Sequence, residues 1–321
     1  MLPGMRGRPR ITIVGAGNLG SALALSLHRA RYVIDQVVFR DSRASRRKAE
    51  RLAKRVGARA VTIAEMQIEA DVVWFCVPDD AIAGAARALA QKADWNGRVA
   101  LHSSGALSSN ELSPLRRGGA HVASVHPMMT FVAGSFQTGP AQSSSQGSSS
   151  QRSSSHPGWQ PSLAGVPFAI EGDAAAVRAS RAIVSRLGGK AYPIRQKDKV
   201  AYHAWGTFAS PLLTALLATT EHVAAAAGVS RREAKRRMLP ILQQTLANYA
   251  AFDAAGSFSG PIVRGDVETI RRHLRALRKL PEAGEVYAEL AKAAVRYLPG
   301  KRKQLVRRVL NGAEVKSQKS E

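Results

Sequence analysis

Lys199, His203, Thr207 and Ser210 follow one another at spacings of four, four and three, and residues 200–220 carry no Asp, Glu, Lys or Arg. On a helix those spacings set the four on one stripe of an otherwise apolar surface. A lysine withdrawn from water there loses proton affinity and becomes an acid usable near neutral pH, and a histidine one turn on offers a second. Such a group can protonate the heteroatom of a carbonyl or imine as a hydride arrives at the adjacent carbon. Two more polar clusters follow short apolar runs: Leu101-His102-Ser103-Ser104-Gly105-Ala106 and Ser124-Val125-His126-Pro127-Met128. The Ser103 and Ser104 hydroxyls can donate to a substrate carboxylate or carbonyl, beside His102, Gly105 and His126. Arg264, in Gly260-Pro261-Ile262-Val263-Arg264-Gly265-Asp266, suits an anionic substrate, with Asp266 as cap of the next helix. Competing readings are bland: a strand-end histidine often satisfies a structural hydrogen bond, and a polar stripe can simply face water.

The elements that must position these groups begin at Ile11-Thr12-Ile13-Val14-Gly15-Ala16-Gly17-Asn18-Leu19-Gly20. A buried-strand run leads into Gly-x-Gly-x-x-Gly and then into a helix. Gly15 makes the tight turn, Gly17 lets backbone approach a pyrophosphate, and Gly20 lets the helix pack close to the strand. The amides that open the helix, Asn18 and Leu19 among them, then hold the diphosphate. At the end of the second strand, Phe39-Arg40-Asp41-Ser42-Arg43 offers two guanidiniums and a hydroxyl to a 2′-phosphate, which favours NADP. Asp41 is the residue that argues for NAD. Val77, Pro78 and Asp79, where another strand meets its helix, complete the expected cofactor contacts, although helix capping competes for Asp79.

Apolar runs at 11–14, 36–39, 71–76, 99–101 and 122–125 alternate with helical patterns at 19–30, 45–56, 79–91 and 109–116. They predict a doubly wound parallel sheet. Residues 137–161 are dominated by Ser, Gln and Gly and read as a disordered surface insertion. A strand at 166–170, a helix at 173–187 and a strand at 191–194 resume the α/β pattern. Beyond 196 only helices are signalled, at 199–227, 231–251, 266–277 and 283–297. The expectation is therefore an α/β Rossmann-like domain at 9–194, an all-α substrate and dimerisation domain at 195–300, and a fraying basic tail at 301–321.

The net charge is +24, from 47 basic and 23 acidic residues. The basic residues alternate with alanine and leucine at helical spacing and aromatics are only 6%. Solvated helix faces that attract anionic ligands therefore explain the charge better than a nucleic-acid surface does. One cysteine, Cys76, rules out an internal disulfide framework. With no secretion segment ahead of the first strand and polar residues interrupting the apolar stretch near 212–217, the expectation is a cytoplasmic chain that does not span a membrane. No metal-ligand spacing occurs.

Assembled, these motifs resemble a bacterial family joining a Rossmann-like domain to a helical C-terminal domain of unknown function. That family is similar to pyrroline-5-carboxylate, ketopantoate and 6-phosphogluconate-type reductases. The matching pieces also include Val77-Pro78-Asp79-Asp80-Ala81-Ile82, His126-Pro127-Met128-Met129-Thr130-Phe131, Ala169-Ile170-Glu171-Gly172-Asp173 and Lys199-Val200-Ala201-Tyr202-His203-Ala204. The resemblance implies an NADP-dependent oxidoreductase and a homodimer through the helical domain. It implies substrate contacts at Ser103, Ser104 and Gly105 and a proton donor at Lys199. The chain departs from the family at Pro211, where asparagine is usual, and in the length of the serine-rich insertion. The sequence reading is thus a reductase of a small carbonyl or imine acid at an interdomain cleft. A non-catalytic NADP-binding regulator is the alternative, and an RNA-associated protein is a third reading that rests on charge alone.

Overall fold

A computed structural model describes residues 8–132 and 163–317. The insertion expected at 137–161 lies outside the described residues. The chain divides into two compact units, Met1–Thr207 and Phe208–Glu321.

In the first unit β1 (Ile11–Val14), β2 (Ile34–Phe39), β3 (Arg59–Thr62), β4 (Val72–Phe75), β5 (Val99–His102), β6 (His121–Pro127), β7 (Pro167–Gly172) and β8 (Lys190–Pro193) form one sheet. Its strand order is β3-β2-β1-β4-β5-β6-β7-β8. The first six strands are parallel, but β7 runs antiparallel to β6, with Ser124 opposite Glu171, and β8 follows β7 in parallel. The doubly wound parallel sheet expected from the sequence is present, with β7 its one reversal of direction. Parallel neighbours need a crossover element, whereas an antiparallel pair needs only a loop, and no helix stands between β6 and β7 among the described residues.

Strand alternation sorts the core onto two faces. Ile11, Ile13, Val37, Phe39, Trp74 and Leu101 pack with α1 (Asn18–Arg29), α2 (Arg43–Val56) and α5 (Ala174–Arg186). Val14, Val38, Val73, Phe75 and Val122 pack with α3 (Asp79–Ala90) and α4 (Ser113–Arg117). Both faces are covered, which is why the central strands read as continuous apolar runs. β3 gave no such run because it is an edge strand, half exposed and opening on Arg59.

The turn from β1 to α1 is fixed by steric contact. Gly15 has φ +110, and a Cβ there would stand 2.5 Å from the Cys76 carbonyl oxygen beyond β4. A Cβ on Gly20 would lie 1.9 Å from the Gly15 carbonyl oxygen, so α1 starts as close to the turn as backbone allows. Gly17 differs from both, because no atom of the described residues lies within 4 Å of where its Cβ would be.

The helix expected over 199–227 is broken. α6 (Lys199–Thr207) closes the first unit, a π-helical turn spans Phe208–Leu212, and α7 (Leu213–Ala226) follows. Pro211 lies inside the turn, where its missing N–H and bulky ring interrupt the regular ladder.

The second unit contains α7, α8 (Arg231–Ser257), α9 (Pro261–Arg264), α10 (Val267–Leu277), α11 (Pro281–Tyr297) and α12 (Lys303–Ser317). Asp266 caps α10 through the N–H and hydroxyl of Thr269, as its position suggested. Within the stretch read as a fraying basic tail, Lys303–Ser317 form α12, with Val306 and Leu310 fully buried against Ile270 and Val295. Across α8 only Ala234 is buried, and Ile241, Leu246, Tyr249 and Phe252 are each 60–67% exposed. Among the described residues no helix is long and apolar enough to cross a membrane.

Replacing Gly20 by Ala should cost about 1–3 kcal/mol or more, since its Cβ meets fixed backbone rather than a movable side chain. Gly17→Ala should leave the unfolding midpoint where it is. Thermal unfolding of the two variants checks this, and equal midpoints would contradict the assigned roles.

Candidate active site

The carboxyl ends of β1, β2, β4, β5 and β6 lie along one edge of the sheet, and most of the expected site residues stand there. Where β1 and β4 are neighbours, the chain leaves them toward opposite halves of the sheet. This is the switch point at which open α/β sheets take their ligands. Gly15, Gly17, Asn18, Leu19 and Gly20 occupy the β1 end, and Val77 and Pro78 follow β4. The first backbone hydrogen bond of α1 runs from Ser21 N–H to the Gly17 carbonyl, which leaves the amides ahead of it free of helix partners. Asn18 Nδ2 donates to the Phe131 carbonyl at 2.9 Å and so ties this helix start to the segment after β6.

At the β2 end Ser42 caps α2, accepting from Ser45 N–H. Asp41 faces Arg46 at 3.7 Å, and the Arg46 guanidinium lies 5.3 Å over the Phe39 ring. Arg40 and Arg43 are exposed, and their guanidiniums have no hydrogen-bond or ion-pair partner among the described residues.

The β5 end is organised around Ser104. Its hydroxyl donates to Asp79 Oδ2 at 2.7 Å and accepts the N–H groups of Ala106 and Leu107. Its own N–H donates to His102 Nδ1, and its carbonyl accepts from Lys199 Nζ at 3.1 Å and Ser124 Oγ at 3.2 Å. Ser104, expected to meet substrate through its hydroxyl, therefore spends that hydroxyl on the loop. Asp79 is the first residue of α3 and not its cap, because Pro78 precedes it at the cap position without a side-chain bond. Ser103 turns inward, accepting from Trp74 Nε1 at 2.8 Å. His102 is fully buried, with Nε2 2.9 Å from the Ser108 carbonyl. That contact assigns the proton to Nε2 and leaves Nδ1 as acceptor for Ser104. Both ring nitrogens are thus committed to shaping the loop.

Lys199 is also fully buried, and its ammonium donates to Ser124 Oγ at 2.7 Å besides the Ser104 carbonyl. Burial pulls its pKa from 10.5 down to about 8, against the raising influence of the Glu171 and Asp79 carboxylates. Glu171 lies opposite Ser124 on β7 and accepts the N–H and hydroxyl of Ser109, at 2.6 and 2.9 Å. Burial, with some help from Lys199, lowers both His102 and His126 to about 4, so both rings are neutral at neutral pH.

His126, Tyr202 and His203 form the outer part of the group. His126 Nδ1 is 3.2 Å from the Tyr202 hydroxyl, whose pKa burial raises to about 12. The His203 ring stands edge-on to His126 at 5.9 Å between centroids. A Cβ on Gly105 would lie 2.5 Å from His203 Cδ2 and 2.9 Å from His126 Nε2, so only glycine fits beneath the two rings. His102, Ser103, Ser104, Gly105, His126, Lys199 and His203 therefore gather within the first unit. Ser210 and Arg264 belong to the second unit, Ser210 in the π-helical turn and Arg264 exposed at the end of α9. The sequence reading passed over Tyr202, Ser124 and Glu171. A hydroxyl and a carboxylate alternating with apolar strand residues, at 124 and 171, were the available signals. Among the described residues no group of three or more His, Cys, Asp or Glu side chains is placed to hold a metal ion.

The strand order and the glycine turn define a Rossmann-like architecture. Residues 5–127 match the family model of a Rossmann-like domain, and residues 166–294 match that of a domain of unknown function, DUF2520. The chain thus joins these two domains in the order its motifs suggested. A "putative NADP oxidoreductase" of Bacteroides fragilis superposes with a TM-score of 0.68 at 23% identity, over 89% of this chain and 97% of that one. The reductive aminase of Aspergillus terreus, in complex with NADPH and ethyl-5-oxohexanoate, gives 0.61 at 17% identity, over 94% and 99%. A variant of the imine reductase of Myxococcus stipitatus, in complex with NAD+, gives 0.56 at 18%, over 95% and 99%. A search of curated proteins returns no match. The fold is therefore one that NADP oxidoreductases and imine reductases share.

Folding lowers the proton affinity of Lys199, so between about pH 8 and 10.5 the unfolded chain binds more protons than the native one. The Lys199 contribution to stability should rise as pH climbs through that window. Denaturant unfolding at several pH values should show the rise in the parent protein and lose it in Lys199→Met. Equal slopes would contradict the assignment.

Proposed function

We propose that the chain is an NADP-dependent oxidoreductase that transfers hydride between NADPH and a small carbonyl or imine acid. The observation that carries this reading is the pairing, on one sheet edge, of an open glycine turn with a buried polar cluster whose rim, His126, Tyr202 and His203, is more exposed. Gly17 leaves room for a pyrophosphate where Gly15 and Gly20 have none for a Cβ, and the start of α1 presents amides to it. These residues fit a dinucleotide. Val77 and Pro78 would border it beyond β4, and the bound nicotinamide would supply the hydride.

The choice of NADP over NAD rests on Arg40 and Arg43. Two guanidiniums unpaired among the described residues suit a 2′-phosphate, and the carboxylate that would suit a ribose diol, Asp41, is turned to Arg46. Within the cluster, Lys199 places positive charge behind the Ser104–Gly105 loop, where negative charge develops on a reduced carbonyl oxygen. Gly105 is buried and its N–H finds no partner among the described residues, which makes it the backbone donor this reading assigns to a substrate carboxylate or carbonyl. His102, Ser103, Ser104 and Asp79 hold that loop in place. The same reading takes the exposed apolar residues of α8 as the face a second copy of this chain covers, giving a homodimer, which sedimentation of the purified protein decides.

Arg40→Ala and Arg43→Ala should each weaken NADPH binding about tenfold or more while leaving NADH binding nearly unchanged. Fluorescence titration with both cofactors reads this. Equal losses for the two cofactors would remove the arginines from 2′-phosphate recognition.

A further inference from the structure

The proton that must accompany a hydride has an expected source in Lys199, but the geometry around that residue argues for a different one. Lys199 is fully buried, and its ammonium is engaged by the Ser104 carbonyl and the Ser124 hydroxyl. A substrate could reach it only by displacing the loop that Ser104 holds through bonds to Asp79, His102, Ala106 and Leu107. His126 is placed otherwise. It is half-buried, its Nδ1 is occupied by the Tyr202 hydroxyl, and its Nε2 lies beside Gly105, where a Cβ would stand 2.9 Å from it, with no hydrogen-bond partner among the described residues.

We propose that His126, held by Tyr202 with its proton on Nε2, is the residue that protonates the substrate heteroatom, and that Lys199 acts only through its charge. The proposal rests on the oxidoreductase reading and deepens it. Tyr202 O–H donates to Nδ1, which leaves Nε2–H as the donor not yet spent. As hydride reaches carbon, the heteroatom–H bond forms and the His126 Nε2–H bond breaks. Nδ1 takes the Tyr202 hydroxyl proton in the same movement; once product leaves, Nε2 takes a proton from bulk water as Nδ1 returns its own to the Tyr202 oxygen, which restores the starting tautomer. The ring stays neutral throughout, and the relay runs toward the stronger base, since the nascent alkoxide or amide anion binds a proton more tightly than a phenolate does.

The charged and titratable groups around the ring fit this assignment. Lys199 and His203 on α6 and His102 on β5 all disfavour an imidazolium at 126, while Asp79 on α3 and Glu171 on β7 act on Lys199. Gly105 and the His203 ring pack against His126 and hold it in place, with no room for a Cβ between them.

The test uses the full chain with NADPH and a panel of pyruvate, 2-oxoglutarate and 1-pyrroline-2-carboxylate. His126→Gln, which keeps an N–H but cannot relay a proton, should lower kcat about a hundredfold with NADPH affinity and unfolding midpoint unchanged. Tyr202→Phe should lower kcat about tenfold. Nitrogen-15 NMR of labelled histidine supplies a readout independent of turnover. His126 should stay neutral with its proton on Nε2 from about pH 5 to about pH 9, and Tyr202→Phe should mix the tautomers. Full activity in His126→Gln beside an inactive Lys199→Met would return the proton to Lys199 and leave the oxidoreductase reading standing. A His126 that is protonated near neutral pH would also overturn the proposal. A protein that binds NADPH but reduces nothing in the panel would overturn both.

Discussion

The close approach of the β1–α1 turn to the end of β4 is the constraint on which the rest depends. With Gly15 against the Cys76 carbonyl and Gly20 against the Gly15 carbonyl, the start of α1 is pressed to the sheet edge. Any side chain at either position would push α1 away from β4 and widen the switch point. Among the described residues the same contact leaves Gly17 facing open space, so a tight backbone on two sides creates room on the third. Everything the sheet edge offers a ligand is measured from that corner: the β2-end arginines, the Ser104 loop, and the histidines near β6 and on α6.

The second organising feature is a buried polar network in which each hydroxyl has a structural partner. A buried hydrogen bond contributes only about 1 kcal/mol net, yet leaving one partner unpaired costs roughly 1–3 kcal/mol. The network is therefore more a device for shape than a source of stability. Its core links Asp79 at the start of α3, His102 on β5, Ser124 on β6 and Lys199 on α6 through the single residue Ser104. Glu171 pins the Ser109 turn and lends Lys199 a distant countercharge. A lysine ammonium kept dry among neutral acceptors is costly to fold. In a catalytic reading that cost is the source of a fixed positive potential behind the loop.

Much of this was legible from residues alone, because the signals were backbone requirements and periodicity. The glycine turn, the apolar central strands and the Asp266 cap each have one physical cause that acts locally. What stayed hidden depended on neighbours far away in sequence. β3 is an edge strand with no run of apolar residues, and the antiparallel β7 follows from a connection whose direction no local pattern encodes. α12 was masked by its basic residues, although Val306, Val309 and Leu310 recur at helical spacing. Pro211 was visible, but not that the helix would absorb it as a π-helical turn. At the site, residue type pointed to one sheet edge, and the hydrogen bonds among these residues could not be read from it. Ser103, Ser104, His102 and Asp79 could each have faced a ligand, and only their partners Trp74, Asp79, Ser108 and Ser104 show that they face one another.

The central claim is that a dinucleotide phosphate rests on the amides opening α1, beside Gly17. Amide hydrogen exchange with and without NADPH tests it most directly. The account predicts slower exchange in the segment from Gly15 to Leu23 and in the turn from Cys76 to Ile82. Binding that leaves both segments unprotected, or no protection anywhere in the chain, would contradict it.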